Sequence, residues 1–287
     1  MKFLRIAGRC FLWSALTAVI FLASCQSRLI YFPRPYDKAA LMNFQQRGGR
    51  QIEFKTLQGR QVAFYLPPLR ASAQPPELLW FVFGGNGALA LDYSDETSRW
   101  DARAGYLFVD YPSYGLCEGS PNPAHIEECV VSLATKLKDE WHWSEAELST
   151  RGGVFGHSLG CAAALITADR FHINRAVLCA PFTTMTDMAR RTIGWPLCYL
   201  NRHRYDNLAR LRTLSERGAL VRVFHATGDQ AIPVSMARTL AKSYPKNVRL
   251  TEVADSDHNE IVQDAGEQIS AAMRELVLAC PLRTGQL

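Results

Sequence analysis

The sequence predicts an α/β fold with a mostly parallel sheet flanked by helices. Short runs such as "LLWFVF", "GYLFVDY" and "RAVLCAP" are apolar on both faces, as strands of a parallel sheet covered on both sides must be. They alternate with stretches of helical spacing, for example Ile126, Val130, Leu133 and Leu137. The 287 residues are 48% hydrophobic and 21% charged, which suits a packed core and excludes a disordered chain.

In chain order, the first segment reads as a targeting signal. "MKFLRIAGRC" carries positive charge, and "FLWSALTAVIFLA" is an uncharged apolar stretch, shorter than the roughly 20 residues of a membrane-spanning helix. It ends in "LASC", Leu22 to Cys25, which resembles a bacterial lipobox. That resemblance implies cleavage before Cys25, a diacylglycerol on its sulfur and a cell-envelope lipoprotein. Gln26 in place of Asp favours the outer membrane over the inner one. An ordinary signal peptide and an uncleaved anchor are the competing readings. Lys2, Arg5 and Arg9 supply three of the five net positive charges, and the remaining +2 is too small to suggest nucleic-acid binding.

Residues 25–50 form a basic, aromatic lead-in with no clear period. "QIEFKTLQGRQVAFYLP" reads as a hairpin turning at Gln58-Gly59, placing antiparallel strands at one edge. Buried strands follow in "PPELLWFVFGGNG" and "GYLFVDYPSYG", a helix in "AHIEECVVSLATKLKDEWHW", a strand in "RGGVFG" and a helix in "SLGCAAALITADR". Three more strands are expected in "RAVLCAP", "ALVRVFHATGD" and "NVRLTEVADSDH", with helices near 233–243 and 260–277. Residues 182–214 interrupt the alternation and are expected to form a small helical cap insertion over the strand ends, with Trp195, Leu197, Tyr199 and Leu200 walling an apolar acyl site. The expected organisation is a signal peptide over 1–24, a lead-in or linker over 25–50 and one domain over 51–287.

The chemistry centres on "GHSLG", Gly156 to Gly160, which stands between a strand and an alanine-rich helix. Strand, turn and helix in that order form a nucleophile elbow, in which a strained turn exposes the serine. Glycines two before and two after Ser158 let strand and helix approach closely. Serine needs a base, and the base needs an orienting acid, in the chain order Ser, Asp, His. Of the seven histidines, His258 lies on a loop after the last strand, where the base belongs. His125, His142, His157 and His172 read as surface or packing residues, His203 as part of the insertion, and His225 as inside a strand. Asp229, after the penultimate strand, is the expected acid, although Asp255 and Asp257 lie far closer to His258 in sequence. The loop "VFGGNG" places the backbone N–H of Asn86 as one oxyanion donor, with that of Leu159 as the other. A glycine-rich turn of no function is the competing reading of that loop.

Cys10 would leave with the signal peptide and Cys25 would be acylated, which leaves Cys117, Cys129, Cys161, Cys179, Cys198 and Cys280. An oxidising compartment would allow disulfides among these. Small buried apolar residues are an equal reading for Cys161 and Cys179. None has metal-ligand spacing.

"FVFGGNGALALDY", "LFVDYPSYGLCEGSPNPA", "GVFGHSLGCAAAL", "HATGDQAIP" and "DSDHNEI" resemble, in order, the sequence blocks of the α/β-hydrolase superfamily over about residues 29–275. They are most similar to its bud-emergence-type branch, which includes protein depalmitoylases and lysophospholipid lipases. Cys117 stands where that branch commonly has a polar residue, and Gly84-Gly85 where many members have His-Gly. The resemblance implies an α/β-hydrolase fold and a serine hydrolase of carboxylic esters or thioesters, without metal or cofactor. The substrate would be a small-molecule or lipid acyl ester, the membrane would be reached through the N-terminal lipid, and the chain would be a monomer. An acyl-peptide or peptidase-type hydrolase and a catalytically silent envelope lipoprotein are the alternatives.

Overall fold

The computed structural model describes residues 13, 17, 25–69 and 75–280. The expected signal peptide therefore lies outside the described residues, save for Trp13 and Thr17. Eight strands form one sheet in the order β1-β2-β4-β3-β5-β6-β7-β8, where β1 is Arg50–Thr56, β2 Gly59–Leu66, β3 Leu79–Phe83, β4 Gly105–Val109, β5 Gly152–His157, β6 Arg175–Cys179, β7 Leu220–Ala226 and β8 Val248–Val253. β1 and β2 are antiparallel to their neighbours, and every pairing from β4 to β8 is parallel. This is the predicted architecture, hairpin edge included.

Every residue of β3, β4, β5 and β6 is buried. Alternation along the strands splits the core into two layers. Phe81, Phe83, Val154 and Leu178 face one side, and Trp80, Val82, Phe155 and Val177 face the other. The first layer is covered by α3 (Pro123–Trp141), α5 (Leu159–Arg170), α7 (Asn207–Glu216) and α8 (Val234–Ser243). The second is covered by α2 (Lys38–Gln46) and by α10 (Gly266–Ala279), which follows the short α9 (Ile261–Asp264). The chain leaves β3 toward β4 on one side and returns to β5 on the other. That reversal opens a crevice at the strands' C-terminal ends, the usual ligand position in such sheets.

One expectation is corrected, and two helical stretches are added to the sequence reading. The segment 182–214 is not one cap. Only α6 (Met185–Ile193) and a short 3₁₀ helix, Leu197–Leu200, stand over the strand ends. α7 belongs to the scaffold, because its Leu211 and Leu214 are fully buried in the layer that holds α5. The lead-in over 25–50 contains two helices, α1 (Gln26–Ile30) and α2, whose Asp37 N-cap accepts a hydrogen bond from the Ala40 N–H at 2.7 Å. Phe44 of α2 packs edge-on against Phe64 and Phe108, with centroids 5.8 and 5.9 Å away. Finally, a helix not foreseen, α4 (Glu145–Arg151), begins with a capping box between Ser144 and Glu147. No helix among the described residues is long and apolar enough to cross a membrane.

Gly160 opens α5 against the end of β3. A Cβ there would collide with the carbonyl oxygen of Phe83, and one at Gly156 with the carbonyl oxygen of Gly160. Backbone cannot move aside as a flexible side chain can. Gly160→Ala should therefore cost about 3 kcal/mol or more in stability, read as a lowered urea midpoint or loss of soluble protein. An unfolding midpoint equal to that of the wild type would contradict the close approach.

Candidate active site

The site is built where β5 gives way to α5. Ser158 is the single residue between them, with φ 56° and ψ −118°. A positive φ is costly for a residue with a Cβ, so the surrounding packing must hold it. The Ser158 N–H donates to the carbonyl of Cys179 on β6 at 2.9 Å, which pins the turn to the neighbouring strand.

Ser158, Asp229 and His258 come together from three strand ends. His258 Nε2 lies 3.0 Å from Ser158 Oγ, and its Nδ1 lies 2.7 Å from Asp229 Oδ2. With Nδ1–H donated to the carboxylate, Nε2 is the free acceptor and the serine hydroxyl is the donor. Asp229 Oδ1 accepts the N–H groups of Ala231 and Ile232, each at 2.8 Å. Burial alone would raise the Asp229 pKa. The bonds from His225, His258 and the Ile232 N–H outweigh it and hold the carboxyl well below its usual range. Asp257 is occupied elsewhere, accepting the N–H groups of Asn259 and Glu260 at 2.7 and 3.0 Å.

Asn86 and Leu159 both face the serine's surroundings. A Cβ on Gly85 would lie 3.5 Å from Ser158 Cβ, so the loop after β3 sits directly on the turn. The Gly85 carbonyl accepts from the Ala88 N–H at 3.2 Å, and the Ser158 carbonyl accepts from the Cys161 N–H at 3.0 Å. In a trans peptide the N–H points opposite its carbonyl. The Asn86 N–H therefore points out of its turn, and the Leu159 N–H points out of the start of α5.

Two buried histidines missed in the sequence complete the site. His157 Nε2 is 2.7 Å from the His258 carbonyl, which can only accept, so Nε2 carries the proton. Nδ1 then accepts from the Tyr93 hydroxyl at 2.8 Å, and the Tyr93 oxygen accepts from the Gly85 N–H at 3.4 Å. One side chain thus ties the loop after β3 to the loop carrying His258. His225 is fully buried behind Asp229, its Nε2 3.3 Å from Oδ2 and 2.8 Å from the Ile232 carbonyl. The only sequence signal for either was position, next to Ser158 and four residues before Asp229.

Two cavities meet at Ser158, Asn86 and His258. One, of about 310 Å³, is apolar, walled by Ile30, Phe182, Met185, Met188, Ile193 and Leu200. Of the expected apolar wall of the insertion, only Leu200 lines it; Trp195 and Tyr199 stand in solvent and Leu197 is not in the wall. α1 contributes Gln26, Leu29 and Ile30, so the lead-in supplies part of the site. The other cavity, of about 420 Å³, is polar and includes Asp92, Glu96, Asn259 and Gln263.

No disulfide joins the seven cysteines among the described residues. Cys161 Sγ donates to the carbonyls of Gly156 and Cys179, both at 3.2 Å, a buried packing role. The Cys117 sulfur accepts from the Val62 N–H at 3.3 Å, and burial pushes its thiol up to about 12. Among the described residues no group of three or more His, Cys, Asp or Glu is arranged to hold a metal ion.

No family model matches the chain. It is 24% identical over 246 residues to the uncharacterized protein Rv2307c of Mycobacterium tuberculosis, covering 84% of this chain and 83% of that one. Among solved structures it resembles an esterase of Pyrococcus furiosus, with a TM-score of 0.67 and 14% identity over 88% of this chain and 98% of the other. An alpha-beta hydrolase of Vibrio vulnificus aligns with a TM-score of 0.64 at 14% identity, covering 83% and 88% of the two chains. Est1E from Butyrivibrio proteoclasticus aligns at 0.59 and 14%, covering 80% and 98%. The fold is that of the α/β-hydrolases.

Burial holds the His157 imidazole down to about 4, with the neighbouring His258 adding to the effect. The unfolded imidazole titrates near 6.5. Between those values the unfolded chain binds a proton that the folded one refuses, so this histidine lowers stability as pH falls from about 6.5 to about 4. Asp110 acts in the opposite sense. Burial raises its carboxyl to about 6, so its folded form keeps a proton and loses stability as pH rises through that range. The two slopes partly cancel in the wild type. Urea unfolding of wild type against His157→Gln separates them. The stability difference should rise by on the order of 1 kcal/mol per pH unit across the histidine's window and flatten above it. A difference independent of pH would show that His157 is not held neutral.

Proposed function

We propose that the protein is a serine hydrolase of carboxylic esters or thioesters, acting through an acyl-enzyme on Ser158. The hydrogen-bonded chain Ser158–His258–Asp229, set at the meeting point of an apolar and a polar cavity, carries this reading. The naming of structural neighbours as esterases supports it.

In the first half-reaction His258 Nε2 takes the Ser158 proton as Oγ bonds to the carbonyl carbon. The N–H groups of Asn86 and Leu159 hold the oxyanion, and Asp229 stabilises the imidazolium on its Nδ1 side. The carbonyl reforms, the bond to the alcohol or thiol breaks, and His258 hands that group its proton. Water then repeats the sequence on the acyl-serine and releases the acid. The apolar cavity suits the acyl chain and the polar cavity the departing group. His157 and His225 act at one remove, holding the loops that carry His258 and Asp229.

We assign the chain to the bud-emergence-type branch on the run "DYPSYGLCEGSP", whose Asp110 accepts from the Ala90 N–H at 2.8 Å and from Tyr36 at 2.7 Å. The cellular setting we infer is the outer membrane of a bacterial envelope, with a lipid on Cys25. The "LASC" pattern supports this, as does the start of α1 at Gln26, which puts the anchor point beside the apolar cavity. Two or more acyl chains anchor a protein stably where one does not.

Ser158→Ala should fold normally, lose fluorophosphonate labelling and lose p-nitrophenyl ester turnover by on the order of 10⁶-fold. Asp229→Asn should lose about 10⁴-fold in turnover, while Asp257→Asn stays close to wild type. A folded Ser158→Ala protein with substantial turnover would sink the assignment.

Across a series of p-nitrophenyl esters, each added methylene buried in the cavity contributes about 0.8 kcal/mol. The rate constant kcat/KM should therefore climb about fourfold per methylene until the wall is reached. A flat profile from acetate to dodecanoate would argue against an acyl cavity.

Mass spectrometry of the mature N-terminus should find an acylated Cys25. An unmodified Cys25, or a different first residue, would overturn the anchor.

A further inference from the structure

We propose that the face around the mouth of the apolar cavity is a docking surface for a bilayer bearing anionic headgroups. Leu29, Trp195 and Tyr199 are 57%, 76% and 53% exposed, three of the nine large apolar side chains exposed among the described residues. They share one rim. Leu29 is in the cavity wall, Trp195 follows the wall residue Ile193 by two, and Tyr199 precedes the wall residue Leu200. Scattered apolar side chains need no explanation, but a cluster at a cavity mouth does. Tryptophan and tyrosine are also the side chains that settle at a membrane–water boundary, with an apolar body and a polar tip.

The segments that form this rim carry more arginines than carboxylates, and Asp187 of α6 is paired with Arg190. Arg28, Arg191, Arg202 and Arg204 are exposed, and none makes an ion pair among the described residues. Elsewhere the surface arginines mostly have carboxylate partners, as in Arg47–Asp95, Arg60–Glu53 and Arg238–Glu252. Contacts hold the unpaired set together. The Arg202 N–H donates to Gln26 Oε1 at 2.7 Å, Gln26 Nε2 donates to the Leu200 carbonyl at 2.6 Å, and Arg204 donates to the Tyr199 carbonyl at 3.3 Å. Unpaired guanidinium groups beside interfacial aromatics match a phosphate-rich lipid surface.

The path of the chain points to the same occupant. Gln26, bound into this rim, is the first residue of α1, and the uncharged, mainly apolar 13-residue stretch "FLWSALTAVIFLA" lies shortly before it in sequence. Whatever membrane attachment that end provides is delivered to the cavity mouth. An acyl ester in the bilayer would then enter the cavity without crossing water, a consequence that rests on the esterase reading. The docking itself does not.

The test uses the full chain on vesicles of phosphatidylcholine with and without phosphatidylglycerol, some carrying brominated acyl chains. Trp80, Trp100, Trp141 and Trp143 are buried, so the fluorescence difference between wild type and Trp195→Phe isolates Trp195 from them and from Trp13. Bromolipid should quench that difference on phosphatidylglycerol vesicles. Arg191→Glu/Arg202→Glu/Arg204→Glu should abolish the quenching, and the corresponding Gln variant should weaken it, both with unchanged turnover of a soluble ester. Trp195 left unquenched while the protein is vesicle-bound would overturn the proposal. So would quenching indifferent to the arginine changes, or a concentration-dependent dimer that shields Trp195. Because the readout needs no turnover, failed fluorophosphonate labelling at Ser158 would remove the esterase reading and leave this result standing.

Discussion

The close approach of Gly160 to the Phe83 carbonyl governs the geometry of the site. It lets α5 start against the end of β3, which in turn holds Ser158 at positive φ with its hydroxyl clear of both elements. The same approach brings the loop after β3 onto the serine, so one backbone contact sets Ser158 and the expected oxyanion donors together. The strain at Ser158, of order 1–3 kcal/mol for such a backbone, is small against a strand and a helix that are buried along almost their whole length.

The second constraint is a polar chain in a dry place. Gly85, Tyr93, His157 and the His258 carbonyl are linked in series, and both Tyr93 and His157 are buried. A charged imidazole there would lose its hydration with nothing to replace it. The neutral ring instead donates once and accepts once, which satisfies it fully. The loops bearing Asn86 and His258 are thereby held at a fixed separation by side chains rather than by strand pairing.

The cap is modest, and the cavity is completed from elsewhere. α6 provides Met185, Met188 and Ile193, while α1, more than 150 residues earlier in the chain, closes the opposite side with Leu29 and Ile30. Hydrogen bonds link the Tyr31 hydroxyl with His203 Nδ1 and the Tyr205 hydroxyl, at 3.1 and 2.7 Å, and lock that early segment to the insertion. The apolar cavity, the chain's exit toward its N-terminus and the exposed rim are therefore one structural unit.

The sequence by itself determined what is local. Strands buried on both faces, the hairpin edge and the elbow around Ser158 all announce themselves within windows of ten to twenty residues, because period and glycine placement are short-range properties. It also narrowed the acid to three aspartates and favoured Asp229 by its place at a strand end. Only the tertiary structure decided what depends on distant partners. It put Asp229 on the His258 ring and Asp257 on its own loop's N–H groups. It took α7 out of the cap, because Leu211 and Leu214 read the same whether they face a cavity or the layer around α5. It turned His157 from a packing residue into a link between loops, since its two partners lie 64 and 101 residues away. It moved Trp195 and Tyr199 from the cavity wall to its rim, because an aromatic in a short insertion carries no pattern that says which side it faces.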